Sequence, residues 1–160
     1  MFDQLITLRN YSVLDASKRL ATNPDTGHIV QMIYCGDDKL DMSYFYKCYN
    51  QLEPNVSHVI FIYNIATIQI KKLKMYKDIL NIEFLNLNEL KRLLTGNRFV
   101  PKHSKLSLEE QQAIIERFGK DNLPCILHSD PMVRLHDFPV DSIIQIERND
   151  AIYYRRVMED

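Results

Sequence analysis

Ser57-His58-Val59-Ile60-Phe61-Ile62-Tyr63 is β-branched and aromatic throughout its centre, the composition of a buried strand. Its apolar run from Val59 to Tyr63 is the longest in the chain, and far short of the ~20 residues a membrane helix needs. Upstream, the spacing predicts a helix over Val13–Ala21, ended by the breaker run Thr22-Asn23-Pro24-Asp25-Thr26-Gly27. His28 to Cys35 alternates like a strand and stops at Gly36-Asp37-Asp38. Met42–Leu52 carries Phe45, Cys48, Tyr49 and Leu52 at helical spacing and is halted by Pro54. Downstream, Ile68–Leu80 reads as a helix, Ile82–Leu85 as a short strand, and Asn88–Leu94 as a helix closed by Gly96. Strands and helices alternating in this way predict a small α/β layer.

A seam falls at Thr95-Gly96-Asn97, dividing the chain into residues 1–96 and 97–160. Beyond it the pattern changes. Ser107 is a good N-cap, with Glu109 and Glu110 in the first turn, where carboxylates favour the positive end of the helix. That helix runs to Phe118 and stops at Gly119. Asp130-Pro131 opens a short helix through Leu135. Ser142–Arg148 and Ala151–Val157 flank Asn149-Asp150, which predicts a terminal β-hairpin. The expected fold class is therefore α+β: a small α/β N-terminal part with helices against a short sheet, then a small α+β part ending in a hairpin.

The 160 residues carry 20 basic and 21 acidic side chains, a formal charge of −1, and are 46% hydrophobic. Such a chain buries a core, and near-neutrality argues against coating nucleic acid by bulk electrostatics. Three cysteines, Cys35, Cys48 and Cys125, with no CxxC pair support neither a zinc ribbon nor a disulfide framework, and a reducing compartment is expected.

Catalytic signatures are weak. There is no GxSxG, P-loop, GxGxxG or HExxH. Cys125, His128 and His136 lack a fourth metal ligand, and Cys125 and His128 are placed for opposite strand faces. A restriction-type nuclease would draw on Asp25 and Glu89-Leu90-Lys91. The latter lies in a helical pattern, where residues two apart do not share a face. No catalytic, cofactor or metal residue is expected.

Lys71-Lys72-Leu73-Lys74-Met75-Tyr76-Lys77 puts four lysines in seven residues. It reads either as a phosphate-contacting patch or as a solvated helix face. Tyr153-Tyr154-Arg155-Arg156 suits stacking on single-stranded nucleic acid or, better, a protein interface, where Tyr and Arg are enriched.

Val100-Pro101-Lys102-His103 begins a longer correspondence. It continues through Leu108-Glu109-Glu110, Leu123-Pro124-x-Ile126, Asp130-Pro131-x-Val133-Arg134 and Tyr154-Arg155-x-Val157. Over roughly the last 60 residues the chain resembles the C-terminal assembly domain of RNA polymerase subunit 5, a family with an archaeal counterpart. Lys102 stands where that family has glutamate, and Leu135 where it has tyrosine. The first part resembles the family's N-terminal jaw domain more by order of elements than by identities. In the jaw's Thr-Pro-Ser-Ala-Lys loop only Thr67 and Lys71 fit, with Ile68 and Gln69 at the proline and serine.

The resemblance implies a non-catalytic subunit of a multisubunit DNA-directed RNA polymerase, without cofactor or membrane contact. Its implied partners are the largest polymerase subunit, a small subunit of the subunit 6/omega type and, weakly, downstream duplex DNA. Thr67, Lys71, Lys72, Lys74 and Lys77 are the DNA-proximal candidates. Pro101, His103, Asp130, Pro131, Arg134, Tyr154 and Arg155 are the subunit-interface candidates. Only four glycines and no tryptophan, alongside many Ile, Asn, Lys and Tyr, suggest AT-rich coding, as in a large DNA virus or an AT-rich protist, and the short stretch before Pro24 favours a large DNA virus version. That version would sit in the host cytoplasm or the virion, a cellular one in the nucleus. Rival readings are a stand-alone nuclease-like enzyme and a dissociable transcription regulator.

Overall fold

The computed structural model describes residues 1–67, 80–94, 100–149 and 151–160. The chain divides into two compact units, Met1–Leu94 and Thr95–Asp160. The first is an α/β unit and the second an α+β unit ending in a β-hairpin.

The first unit opens with α1 (Phe2–Leu8), in a stretch to which the sequence pattern assigned no element. The helix expected over Val13–Ala21 is instead a hairpin of β1 (Ser12–Asp15) and β2 (Leu20–Thr22). Its turn is organised by Asp15, whose Oδ1 accepts from the backbone N–H of Ser17 at 2.9 Å, from that of Lys18 at 3.2 Å and from Ser17 Oγ at 2.6 Å. Such local bonding competes with a helix ladder. Arg19 takes a positive φ of 54°, and Ala21 is buried against its partner Val30 in the next strand. Long-range pairing thus overrides the local spacing.

β3 (Ile29–Tyr34), β4 (Lys39–Leu40), α2 (Met42–Tyr49), β5 (Val56–Tyr63), β6 (Ile65–Ala66), β7 (Asn81–Asn86) and α3 (Leu87–Leu94) complete the unit. Asp41 caps α2 by accepting from Tyr44 N at 2.9 Å, and the helix ends at Tyr49 rather than Leu52. The expected helix over Ile68–Leu80, apart from Leu80 itself, and its lysines lie outside the described residues, as does the Gly96 closure.

The main sheet has the order β1-β2-β3-β5-β7. β2 is antiparallel to both of its neighbours, β1 and β3, and β3, β5 and β7 run parallel. β5 is central to this parallel half and buried on both faces, as its composition requires. Val59 and Phe61 share one face with Ile82 and Phe84, packed with Phe45 of α2. The Phe61 ring centroid lies 5.4 Å from those of both Phe45 and Phe84. His58, Ile60 and Ile62 alternate onto the opposite face, which Arg9 at the end of α1 reaches.

In the second unit β8 (Lys102–Lys105), α4 (Leu108–Phe118), β9 (Cys125–Leu127), α5 (Pro131–His136), β10 (Ile143–Arg148) and β11 (Ala151–Met158) follow in order. Ser107 forms the full capping box with Glu110: Ser107 Oγ accepts from Glu110 N at 3.2 Å, and Glu110 Oε2 from Ser107 N at 2.8 Å. Gly119 ends α4 at φ 79°, where a Cβ would sit 2.9 Å from Asn122 Nδ2. Asp130 Oδ1 caps α5 by accepting from Met132 N at 2.8 Å, with Pro131 in the first turn.

The sheet order is β8-β10-β11-β9. β10 and β11 form the expected hairpin, Ile143↔Arg156 through Arg148↔Ala151, with Asn149 at φ 48° in its turn. Strand alternation separates two cores. Val133, Phe138, Ile144, Ile146 and Val157 pack on one face, and Leu106, Leu123 and Ile143 on the other with Ile114, Ile115 and Tyr154. Full burial of each such aliphatic side chain stabilises by about 1.5–3 kcal/mol.

Candidate functional site

The interface candidates do not converge on one spot. Pro101 and His103 belong to the β8 edge of the second sheet, the far side from β9. His103 is 9% exposed, and its Nδ1–H donates to the Pro101 carbonyl at 2.8 Å, so its side chain is engaged inside the unit. Lys102 is exposed, and its Nζ lies 3.3 Å from Glu147 Oε1. An exposed pair of this kind contributes little to stability. Asp130 and Pro131 are committed to starting α5, and Arg134 is half-buried on that helix.

Tyr154 and Arg155 are neighbours on β11 with different surroundings. Tyr154 is half-buried with the α4 core, its ring 6.5 Å from that of Phe118. Arg155 is exposed, and its Nη1 donates to the Cys125 carbonyl at 2.9 Å. The next cation is spent internally, because Arg156 Nη1 meets Asp121 Oδ1 at 2.8 Å. Arg155 has no carboxylate partner among the described residues.

Beside these two residues lies a cleft of about 310 Å³ lined by Phe118, Leu123, Pro124, Ile152, Tyr154 and Arg155 among others. Its apolar walls remain open: Ile152 is 56% exposed, Tyr153 51% and Phe118 42%. Tyr154 and Arg155 were singled out from the sequence, whereas Phe118 and Ile152 were not. Their signal was large apolar residues at the end of one amphipathic helix and the start of a hairpin strand.

In the first unit, Thr67 is exposed just after β6, its N–H donating to the Leu40 carbonyl at 3.0 Å. Lys71, Lys72, Lys74 and Lys77 lie outside the described residues. A buried ionic cluster escaped the sequence reading altogether. Arg9 holds Glu83 through two bonds, and His58 Nε2 lies 3.5 Å from Glu83 Oε2. Burial pushes the Glu83 carboxyl up, but Arg9 and His58 outweigh it and bring the pKa down to about 2. The cluster ties α1 to β5 and β7.

Among the described residues no group of three or more His, Cys, Asp and Glu side chains is placed to hold a metal ion. Glu89 and Lys91 lie on α3, two apart on a helix, so they cannot share one ion or water. No helix among the described residues is long and apolar enough to cross a membrane.

Residues 83–158 match the family model described as RNA polymerase Rpb5, C-terminal domain. The match spans just under half of the chain and supports assigning that C-terminal stretch to the RNA polymerase subunit 5 family. It starts in β7, upstream of the stretch that carried the resemblance, and takes in α3 as well as the whole described second unit up to Met158. No curated protein matches the chain.

Proposed function

We propose that this chain is a non-catalytic subunit of a multisubunit DNA-directed RNA polymerase. Its C-terminal unit contributes to assembly of the enzyme by docking on the largest subunit, close to a small subunit of the subunit 6/omega type. Its N-terminal unit forms part of the jaw that faces downstream DNA. The observation that carries the reading is the family match over residues 83–158. A source in a large DNA virus is a further part of the proposal, motivated by the AT-rich character of the composition and the departures from the family at Lys102 and Leu135.

The test is affinity purification of the tagged full chain from its native source, with the co-purifying chains identified. Recovery with the large catalytic polymerase subunits, persisting through high salt, is the expected result. Recovery without any polymerase chain would overturn the reading. Release at modest salt would favour a dissociable regulator instead.

A further inference from the structure

β11 is only partly covered on its outer side. β9 pairs with it in parallel at Arg156↔Cys125, Val157↔Ile126 and Met158↔Leu127, and the ladder goes no further toward Ala151. The reason is Pro124. Its carbonyl accepts from Arg156 N at 3.0 Å, but it has no N–H to donate to the next outward carbonyl of β11. Among the described residues, Ala151–Arg155 has a strand partner only in β10.

The direction of the free groups follows from the ladder. Val157 N–H bonds inward to the Ser142 carbonyl, and Arg156 N–H bonds outward to Pro124. By alternation, the N–H and C=O groups of Ile152 and Tyr154 also point outward. They form a short open edge, and the cleft walled by Phe118, Leu123 and Pro124 runs beside it.

We infer that this edge is completed by strand addition, taking an extended segment of a partner polypeptide in the polymerase. An open edge with alternating donors and acceptors is matched by another extended backbone. Apolar side chains at alternate positions of that segment would enter the cleft. A carboxylate would meet Arg155, and Arg117, which lies 5.0 Å over the Phe118 ring, adds a second exposed cation. A second copy of this edge fits poorly, since Ala151–Arg155 contains no carboxylate to offer Arg155. This inference rests on the polymerase-subunit reading and adds the mode of attachment.

The test uses the full chain and the largest polymerase subunit of its own source. Amide hydrogen exchange is followed in the free chain and in the complex. The amides of Ile152 and Tyr154 are expected to slow at least tenfold on binding. Ile152→Pro removes one outward N–H, and it spares β10 because Ile152 faces Glu147 in a pair without ladder bonds. It is expected to weaken binding at least tenfold at unchanged thermal stability. Arg155→Glu, which leaves the backbone intact, is expected to weaken binding as well.

A complex that forms without protecting these amides would overturn strand addition and leave the polymerase reading standing. So would wild-type affinity in both variants. Protection in the free chain that rises with its concentration would overturn it in favour of a second copy. No complex with the largest subunit would overturn both readings.

Discussion

Arg9 and Glu83, 74 residues apart, are joined by two parallel hydrogen bonds, Nη1 to Oε2 at 2.8 Å and Nη2 to Oε1 at 2.7 Å. The Arg9 side chain is fully buried and that of Glu83 is 17% exposed. Replacing Arg9 by Met should therefore strand a buried carboxylate and destabilise the protein by about 3–5 kcal/mol. The double variant Arg9→Met with Glu83→Leu should regain most of that loss, because an apolar pair of similar volume needs no charge compensation. Urea unfolding of the three proteins measures both effects. Equal stability of Arg9→Met and the parent would show that the pair holds nothing together.

The same pair predicts an acid limb. Glu83 has its ordinary value of 4.5 when unfolded and about 2 when folded, because Arg9 and His58 outweigh the upward push of burial. A depressed folded value means the stabilisation is complete above the unfolded value and is lost as pH falls toward 2. The loss is on the order of 3 kcal/mol across that window. Glu83→Gln should flatten this part of the pH-stability curve, as measured by urea midpoints between pH 5 and 2 (roughly, the window set by linkage). A parent curve that is flat there would contradict the assignment.

What could be read from the sequence was whatever short-range chemistry decides. β5 was visible because five successive apolar residues fit a strand buried on both faces. α4 was visible because Ser107, Glu110 and Gly119 punctuate it locally. The β1–β2 hairpin was not, because Val13 to Ala21 has helical spacing. Only the Asp15 turn and the Ala21–Val30 pairing reveal a strand there. The Arg9–Glu83 pair depends on α1 and β7 meeting across the sheet, which no local pattern encodes. The open edge of β11 lies between these cases. Pro124 stands in the sequence as a strand breaker, but which strand it leaves uncovered is known only from the sheet order.

The three cysteines should separate by reactivity. Burial, followed by the neighbouring Cys48 and Asp38, pushes the Cys35 thiol up to about 12, and burial also raises Cys48. Cys125 is exposed. Since the thiolate is the reactive form, an aromatic disulfide reagent at neutral pH should titrate Cys125 quickly in the native chain. Cys35 and Cys48 should follow only on unfolding. Fast reaction of Cys125→Ser at a second site would contradict this burial.

The Ser107 capping box should be worth a measurable share of the second unit's stability. Ser107→Ala leaves the N–H of Glu110 without its cap and frees Glu110 from the Ser107 N–H. A loss of about 1 kcal/mol is expected, with Ser107→Asp close to the parent. Thermal unfolding of the three proteins checks it. A Ser107→Asp protein as weakened as Ser107→Ala would show that capping is not the cause.

The proposed DNA-facing role of the N-terminal unit is tested through Lys71, Lys72, Lys74 and Lys77. Each phosphate neutralised by a lysine releases condensed counterions, so the log–log salt dependence of duplex binding steepens by about 0.9 per contact. Replacing all four by Gln in the assembled polymerase should flatten the salt dependence of downstream-DNA crosslinking by as much as about 3.6 in slope. Polymerase assembly should be unaffected, because the proposed docking edge lies on β11 in the other unit. If the slope is unchanged while crosslinking persists, the lysines form a solvated face and the jaw meets DNA through other groups. If assembly itself fails, the N-terminal unit has a share in docking that the two-unit division of labour does not allow.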